Sequence, residues 1–190
     1  MRAVELLPSE NKPAPGDLRF VQAFVNTLDH ESGRDELARP EDLERWLRTH
    51  VGLDEGERLG PEDLRQATRF REALRTILTE GSEQDADALA VIDEVGARGS
   101  LRMATTVEGR LELEPVGADM WAALGRMLAT VHHAMHDGTW ERLKVCAADE
   151  CRWVFYDASR NQTGAWCSMR TCGNRAKVRV HRARQRGEAA

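Results

Sequence analysis

Residues 146–172, CAADECRWVFYDASRNQTGAWCSMRTC, hold all four cysteines of the chain, arranged as two pairs. Four residues separate the members of each pair and 15 separate the pairs, so one short turn can direct two thiolates at one ion. Four thiolates complete a tetrahedral shell without an open position, which predicts one structural zinc ion (Zn²⁺). The alternatives are a redox dithiol switch and plain buried cysteines, which have no reason to occur in two pairs. The predicted ligands are Cys146, Cys151, Cys167 and Cys172.

Around the cysteines, the sequence predicts a hairpin followed by a helix. Residues 153–156 (WVFY) are β-prone, residues 157–161 are typical of a turn, and residues 165–166 lead back to the second cysteine pair. Ser168 is a suitable N-cap for a helix that extends to about Arg186. We expect the apolar stripe of this helix to pack on the hairpin, as in a treble-clef-like finger. The stripe consists of Met169, Cys172, Ala176, Val180 and Ala183.

Charge is divided unevenly between the two parts of the chain. The net charge is −5, but residues 146–190 carry 9 Lys and Arg against 4 Asp and Glu, and no acid occurs in residues 158–187. Basic side chains neutralise phosphates and a helix fits the major groove, so this segment predicts nucleic-acid binding. The alternative is a solvated helix in an arginine-rich chain, although such a helix usually mixes charges of both signs. The expected contacts are Arg170, Arg175, Lys177, Arg179, Arg182 and Arg186.

The sequence Cys172-Gly173-Asn174-Arg175 is the signature of the CGNR zinc finger, which residues 146–184 resemble as a whole. The preceding body is similar to the ABATE domain of stress-induced bacterial transcription regulators, through residues 24–29 (FVNTLD) and the junction at residues 140–147 (WERLKVCA). The resemblance implies zinc ligation by the four cysteines and DNA binding by the finger. The charge sign changes and the cysteines begin beyond about residues 138–145, so we expect an ABATE-like domain over residues 1–141 and a finger over residues 142–190. One departure is Gly164-Ala165, where the family tends to have arginines.

Within the signature, physical roles can be assigned to three residues. Gly173 lets the backbone pass close to the metal site. Asn174 could hydrogen-bond a turn or a thiolate. Arg175 could pair with Asp157 or contact a phosphate, and the sequence favours neither.

For the body, the hydrophobic pattern predicts a mainly helical unit with one small β-hairpin, so that the whole chain is α+β. Apolar residues at helical spacing predict helices over residues 18–29 and 84–97, with Leu89 facing inward, and over 118–137, with Met135 facing inward. Pro40 and Pro61 are good first-turn residues for two further helices. The hairpin is predicted by alternating residues on both sides of Glu108-Gly109.

Two further groups of body residues could bind ligands. His132 and His136 have the i, i+4 spacing of two metal ligands, but a core position for His132 is the simpler interpretation because no third ligand is evident. Asn26, Thr27 and Asp29 lie at the end of the first apolar helix, where capping and turn formation are the simpler roles. A sharper hypothesis is a ligand pocket formed by Asn26, Asp29 and Arg71. In that pocket Arg71 would pair with Asp29 or with an anionic effector.

Three functions are compatible with these patterns. The first is a DNA-binding transcriptional regulator whose acidic body senses a small-molecule effector or contacts proteins. The second is an interaction module whose zinc finger is purely structural. The third, an enzyme, is disfavoured because the chain has no phosphate-binding loop, nucleophile elbow or dinucleotide fingerprint. The short apolar runs and the polar N-terminus predict a cytoplasmic protein without membrane contact.

Overall fold

The computed structural model describes residues 12–79, 84–109 and 111–185. Six α-helices and three antiparallel two-stranded sheets form in this part of the chain, which confirms the α+β prediction. The helices are α1 (Leu18–Val25), α2 (Pro40–His50), α3 (Pro61–Ile77), α4 (Ala86–Arg98), α5 (Met120–Asp137) and α6 (Asn174–Gln185). The sheets pair β1 (Leu28–Asp29) with β2 (Arg34–Asp35), β3 (Leu101–Thr105) with β4 (Leu111–Pro115), and β5 (Leu143–Val145) with β6 (Val154–Tyr156).

Local signals define most helix ends. Pro40 and Pro61 begin α2 and α3, where the missing N–H costs nothing, and acidic residues follow in both first turns. The carboxylate of Asp119 accepts a hydrogen bond from the backbone N–H of Ala122 and so caps α5. Gly138 ends α5 in the left-handed conformation, with φ of 76°. The predicted starts of these helices are therefore confirmed.

The core of the body lies between α1, α3 and α5. Val21 and Phe24 of α1, Phe70 of α3 and Leu124 of α5 are all fully buried in one cluster. That cluster continues into the C-terminal segment, because it also contains Leu143 and Val154 of the β5–β6 hairpin. The finger therefore shares part of its apolar surface with the body.

Three details of the predicted body are wrong. Helix α1 ends at Val25, and Leu28 belongs to β1 instead of the helix. Leu89 and Met135 are 40% and 46% exposed. Each is the next residue after a buried alanine, and one residue turns a helix by about 100°. Both side chains are thereby directed away from the core.

The predicted hairpin inside the 15-residue spacer is also wrong. Strand β6 pairs with β5, which precedes Cys146, in the register Leu143 to Tyr156. Residues 165–166 form no strand, and Ala165 only accepts one hydrogen bond, from the N–H of Ala147 at 2.9 Å. Strand β5 is the better partner because Leu143 is buried in the body core at the same time.

The predicted N-cap of the C-terminal helix is confirmed, but its packing is not. The hydroxyl of Ser168 accepts a hydrogen bond from the N–H of Thr171, and a π-helical turn at Met169–Gly173 leads into α6. Met169 and Val180 are each 51% exposed, so the apolar stripe does not pack on the hairpin beyond Cys172. The side chain of Ala183 lies outside the described part.

No helix within the described ranges is long and apolar enough to span a membrane.

Candidate metal centre and nucleic-acid interface

The four cysteines converge on one point. Their Sγ atoms all lie within 4.8 Å of one another, and the distances from Cys167 Sγ to the sulfurs of Cys151 and Cys172 are both 3.7 Å. A tetrahedral zinc ion with bonds of about 2.3 Å requires sulfurs about 3.8 Å apart. The cluster therefore fits one zinc ion, and its closed thiolate shell makes that zinc structural.

Local backbone geometry positions the two cysteine pairs. Cys146 continues the β5–β6 hairpin, since its N–H donates to the carbonyl of Trp153 at 2.9 Å. Cys151 lies in the tight turn that follows, where its N–H donates to the carbonyl of Ala148 at 2.8 Å. Cys167 precedes the N-cap residue of the helix and Cys172 lies in its first turn. The hairpin and the helix thus each contribute one pair.

The sulfurs interact strongly with one another. Hydrogen bonds from Cys151 and Cys167 lower the pKa of Cys146 to about 2. The contact with Cys146 raises the pKa of Cys151 to about 12. The contacts of Cys167 with Cys146 and Cys151 raise the pKa of Cys167 as well. Ionisation of one thiol therefore opposes ionisation of the next. A divalent cation removes this conflict, because it stabilises all four thiolates together.

Two signature residues serve packing and turn formation. A Cβ atom on Gly173 would lie 2.8 Å from the sulfur of Met169 and 3.4 Å from Cδ1 of Trp166. A side chain at residue 173 would require the flexible end of Met169 to move, so Gly173 allows this close packing. Its predicted role beside the metal stays a prediction. The side-chain amide of Asn174 donates to the carbonyl of Arg170 at 3.2 Å, so Asn174 supports the turn.

Asp157 is occupied by its own loop and does not pair with Arg175. It accepts hydrogen bonds from the N–H groups of Gly164 at 2.7 Å and Ser159 at 3.0 Å, and Lys144 lies 3.7 Å away. Burial raises the pKa of Asp157, but the hydrogen bonds from Ser159 and Gly164 outweigh it and lower the pKa to about 2. A Cβ on residue 164 would lie 2.7 Å from this carboxylate. Gly164, at a position where the family tends to have arginine, therefore packs closely on Asp157 in this chain.

Buried polar residues of the body hold the finger in place. The side-chain amide of Asn26 donates to the carbonyl of Val154 and its oxygen accepts from the N–H of Val154, both at 2.8 Å. Gln22, one turn earlier, donates to the same carbonyl at 3.1 Å. Arg75 is fully buried and donates to the carbonyls of Val25 at 2.6 Å and Arg152 at 3.2 Å. This docking role was not predicted from the sequence, although polar residues inside an apolar helix were a signal for it.

The three residues of the hypothesised ligand pocket have separate partners. Asn26 binds Val154, and Asp29 accepts from the N–H of Glu31 at 2.9 Å and the hydroxyl of Ser32 at 2.7 Å. Arg71 is 3% exposed and donates to both oxygens of Asp35, at 2.8 and 2.9 Å. The expected pairing of Arg71 with Asp29 is thus replaced by one with Asp35. The pocket itself stays a prediction.

The histidines of α5 lie on the surface. His132 is exposed, which corrects the expected core position, and its ring centroid lies 4.4 Å from that of His136. Within the described ranges, the cysteines are the one cluster of three or more ligand-type side chains close enough to share an ion. The histidine pair therefore has no third ligand.

One face of the C-terminal helix forms an open groove with a volume of about 570 Å³. Of the predicted contacts, Arg170, Arg175, Arg179 and Arg182 line it, whereas Lys177 is exposed elsewhere on α6 and Arg186 lies outside the described residues. Two of these arginines have acidic partners: Arg175 pairs with Glu31 at 2.8 Å and Arg179 with Glu150 at 3.6 Å. The remaining groove residues are Thr171, Asn174 and Val178.

Two family models match the chain. A model described as "Putative stress-induced transcription regulator", the ABATE domain, matches residues 18–149. The CGNR zinc finger model matches residues 142–185. Both are regulator or zinc-finger families, and they occur in the order that the sequence resemblance implied. No curated protein matches the chain.

Proposed function

The chain belongs to the ABATE family and carries a CGNR zinc finger, and from this premise we propose that it is a stress-responsive transcription regulator that binds duplex DNA through the finger. The zinc ion is its one cofactor and has a structural role. No catalytic step is assigned to the chain, and a cytoplasmic location without membrane contact belongs to the same proposal.

The observation that carries the proposal is the composition of the groove on α6. Residues 171, 174, 175, 178, 179 and 182 recur at helical spacing, so they share one face. Four of the seven groove residues are arginines. Arginine binds phosphate oxygens and guanine edges through its planar fork, and a major groove accepts one helix. The charge of this face therefore supports binding of a phosphate backbone.

The position of the finger on the body supports the same function. Asn26 and Gln22 bind Val154 of β6, and Arg75 binds the carbonyl of Arg152 just before that strand, so buried hydrogen bonds hold the finger hairpin on the body. The remainder of the chain before residue 146 is acidic, with a net charge of −10. An acidic body is repelled by DNA while the basic finger is attracted, which favours approach by the finger.

The test is fluorescence anisotropy of the zinc-loaded protein with labelled duplex DNA over a salt series. We expect wild-type binding to weaken steeply with salt, and the Arg179→Ala/Arg182→Ala variant to bind more weakly. Its slope of log affinity against log salt should be flatter by about 0.9 for each phosphate that the variant no longer neutralises. The matched control is Arg65→Ala/Arg102→Ala, which removes two body arginines of similar exposure, 64% and 65%. Unchanged affinity and slope in the α6 variant would refute the assignment of this face.

A second candidate function is an interaction module whose finger is structural. The observation in its favour is that Leu143 and Val154 of the finger hairpin belong to the body core. Under this hypothesis, removal of zinc by the Cys167→Ser/Cys172→Ser substitution destabilises the body, and the wild-type protein shows no affinity for DNA at low salt.

Two finer points belong to the proposal as well. We place the boundary between the ABATE-like domain (residues 1–141) and the finger (residues 142–190) just before β5, because β5 completes the finger hairpin.

The body is proposed to sense a small molecule or contact a protein. Its open surface cavities offer places for this, including one of about 440 Å³ beside Trp46 and His50.

A further inference from the structure

One carboxylate of the body contacts the proposed DNA-binding face. Glu31, at the turn between β1 and β2, binds Arg175 with both oxygens, at 2.8 Å to Nη1 and 3.0 Å to Nη2. The two residues are 144 positions apart in the chain. Arg175 lines the groove on α6, so this pair places a negative charge where a phosphate is expected to bind.

The body determines where Glu31 lies. At the start of the turn, the carboxylate of Asp29 accepts hydrogen bonds from the N–H of Glu31 and from Ser32. At its end, both oxygens of Asp35 bind the buried guanidinium of Arg71. The turn is thus tied to α3, and a shift of the body at Arg71 or Asp29 would move the Glu31 carboxylate relative to α6.

We propose that Glu31 is an autoinhibitory carboxylate that occupies Arg175 in the free protein and is displaced by a DNA phosphate. This inference rests on the proposed DNA binding and adds its regulation. A carboxylate and a phosphate bind the same fork of the guanidinium, so the two compete directly. Both side chains of the pair are 44% exposed, and exposed ion pairs are weak enough to exchange.

The ion pair of Glu150 is weaker than that of Glu31, and Glu150 belongs to the finger instead of the body. It approaches Arg179 at 3.6 Å through one pair of atoms, and both side chains are more exposed, at 64% and 59%. Glu150 also lies between Cys146 and Cys151, so it moves with the finger. Glu31 is therefore the carboxylate through which the body can change the affinity of the finger.

The experiment compares DNA affinities by anisotropy at fixed low salt for zinc-loaded wild type, Glu31→Gln and Arg175→Ala, together with the double variant. Glu55→Gln is the matched control, because it removes one charge from an exposed loop residue of the body. We expect Glu31→Gln to tighten binding by about 2- to 5-fold, the range for releasing one exposed ion pair. In the Arg175→Ala background, the same substitution should change affinity by less than about 1.5-fold.

The outcomes separate this inference from the proposed function. If wild type binds DNA and Glu31→Gln behaves like Glu55→Gln, the autoinhibitory role is refuted while DNA binding stands. A gain that persists in the Arg175→Ala background refutes it too, because the charge then acts at long range. If neither wild type nor Glu31→Gln binds, both proposals fail. Binding by Glu31→Gln alone supports both.

Discussion

Replacement of Asn26 by alanine tests whether the body holds the finger through buried hydrogen bonds. The substitution removes two hydrogen bonds, one to the carbonyl and one from the N–H of Val154, each of 2.8 Å. Val154 is fully buried, and its carbonyl keeps the hydrogen bond from Gln22 at 3.1 Å. Its N–H is left without a partner and without access to water, so the cost is that of an unsatisfied buried donor.

The magnitude follows from these hydrogen bonds. An unsatisfied buried donor costs about 1–3 kcal/mol, and removal of the hydrogen bond to the carbonyl adds about 1 kcal/mol. We therefore expect Asn26→Ala to lower the free energy of unfolding by about 2–4 kcal/mol. For a chain of this size, each kcal/mol lowers the melting temperature by about 2–4 °C.

The assay is urea unfolding of the zinc-loaded protein, followed by tryptophan fluorescence. Asn174→Ala is the matched control, because that asparagine is exposed and makes one hydrogen bond of 3.2 Å, to the carbonyl of Arg170 in the turn before α6. A loss below about 0.5 kcal/mol for Asn26→Ala, or an equal loss for the control, would refute the docking role of Asn26.

Three other perturbations have defined outcomes. Gly164→Ala should destabilise the protein by about 1–3 kcal/mol in thermal unfolding, because its Cβ would lie 2.7 Å from the Asp157 carboxylate. The control Gly96→Ala, inside α4, makes only an ordinary contact with Leu128 at 3.5 Å and should stabilise the protein by up to about 1 kcal/mol. Asp157 is held below its ordinary pKa of 3.8, at about 2, so its contribution to stability is complete above about pH 4 and is lost as the pH falls towards 2. Asp157→Asn should therefore flatten the acid limb of stability against pH. Chelation of zinc should unfold the finger, measured as a change in near-ultraviolet circular dichroism that Cys167→Ser/Cys172→Ser reproduces.

A specific result would contradict each of these three predictions. Equal melting temperatures for the two glycine variants would show that residue 164 tolerates a side chain. Parallel acid limbs for wild type and Asp157→Asn would show that this carboxylate is not stabilised by the fold. An unchanged spectrum after chelation would mean that the finger folds without a metal.

Features that depend on neighbouring residues could be predicted from the sequence. The spacing of the four cysteines predicts the zinc site, because each pair spans one short turn. Pro40, Pro61 and Gly138 mark helix ends through their own backbone restrictions, which no distant residue alters. Arg175, Arg179 and Arg182 of α6 share a face because helical spacing alone puts them there.

Pairings between distant segments could not be predicted in this way. The spacer suggested its own hairpin, but β6 pairs with β5 because that hairpin also buries Leu143 in the body core. Arg71 binds Asp35 instead of Asp29 because Asp29 already caps the turn that contains it. Packing selected each of these partners among several that the sequence allowed.

The amino-acid sequence by itself determined the starts of α2 and α3, the end of α5, the two cysteine pairs and the basic face of the C-terminal helix, since each of these arises from residues a few positions apart. Tertiary structure alone decided that Asn26 binds Val154, 128 residues away, and that Glu31 binds Arg175, 144 residues away. The physical reason is that a polar side chain has many possible partners in an unfolded chain. Only the packed core brings one of them within hydrogen-bonding distance and excludes the others.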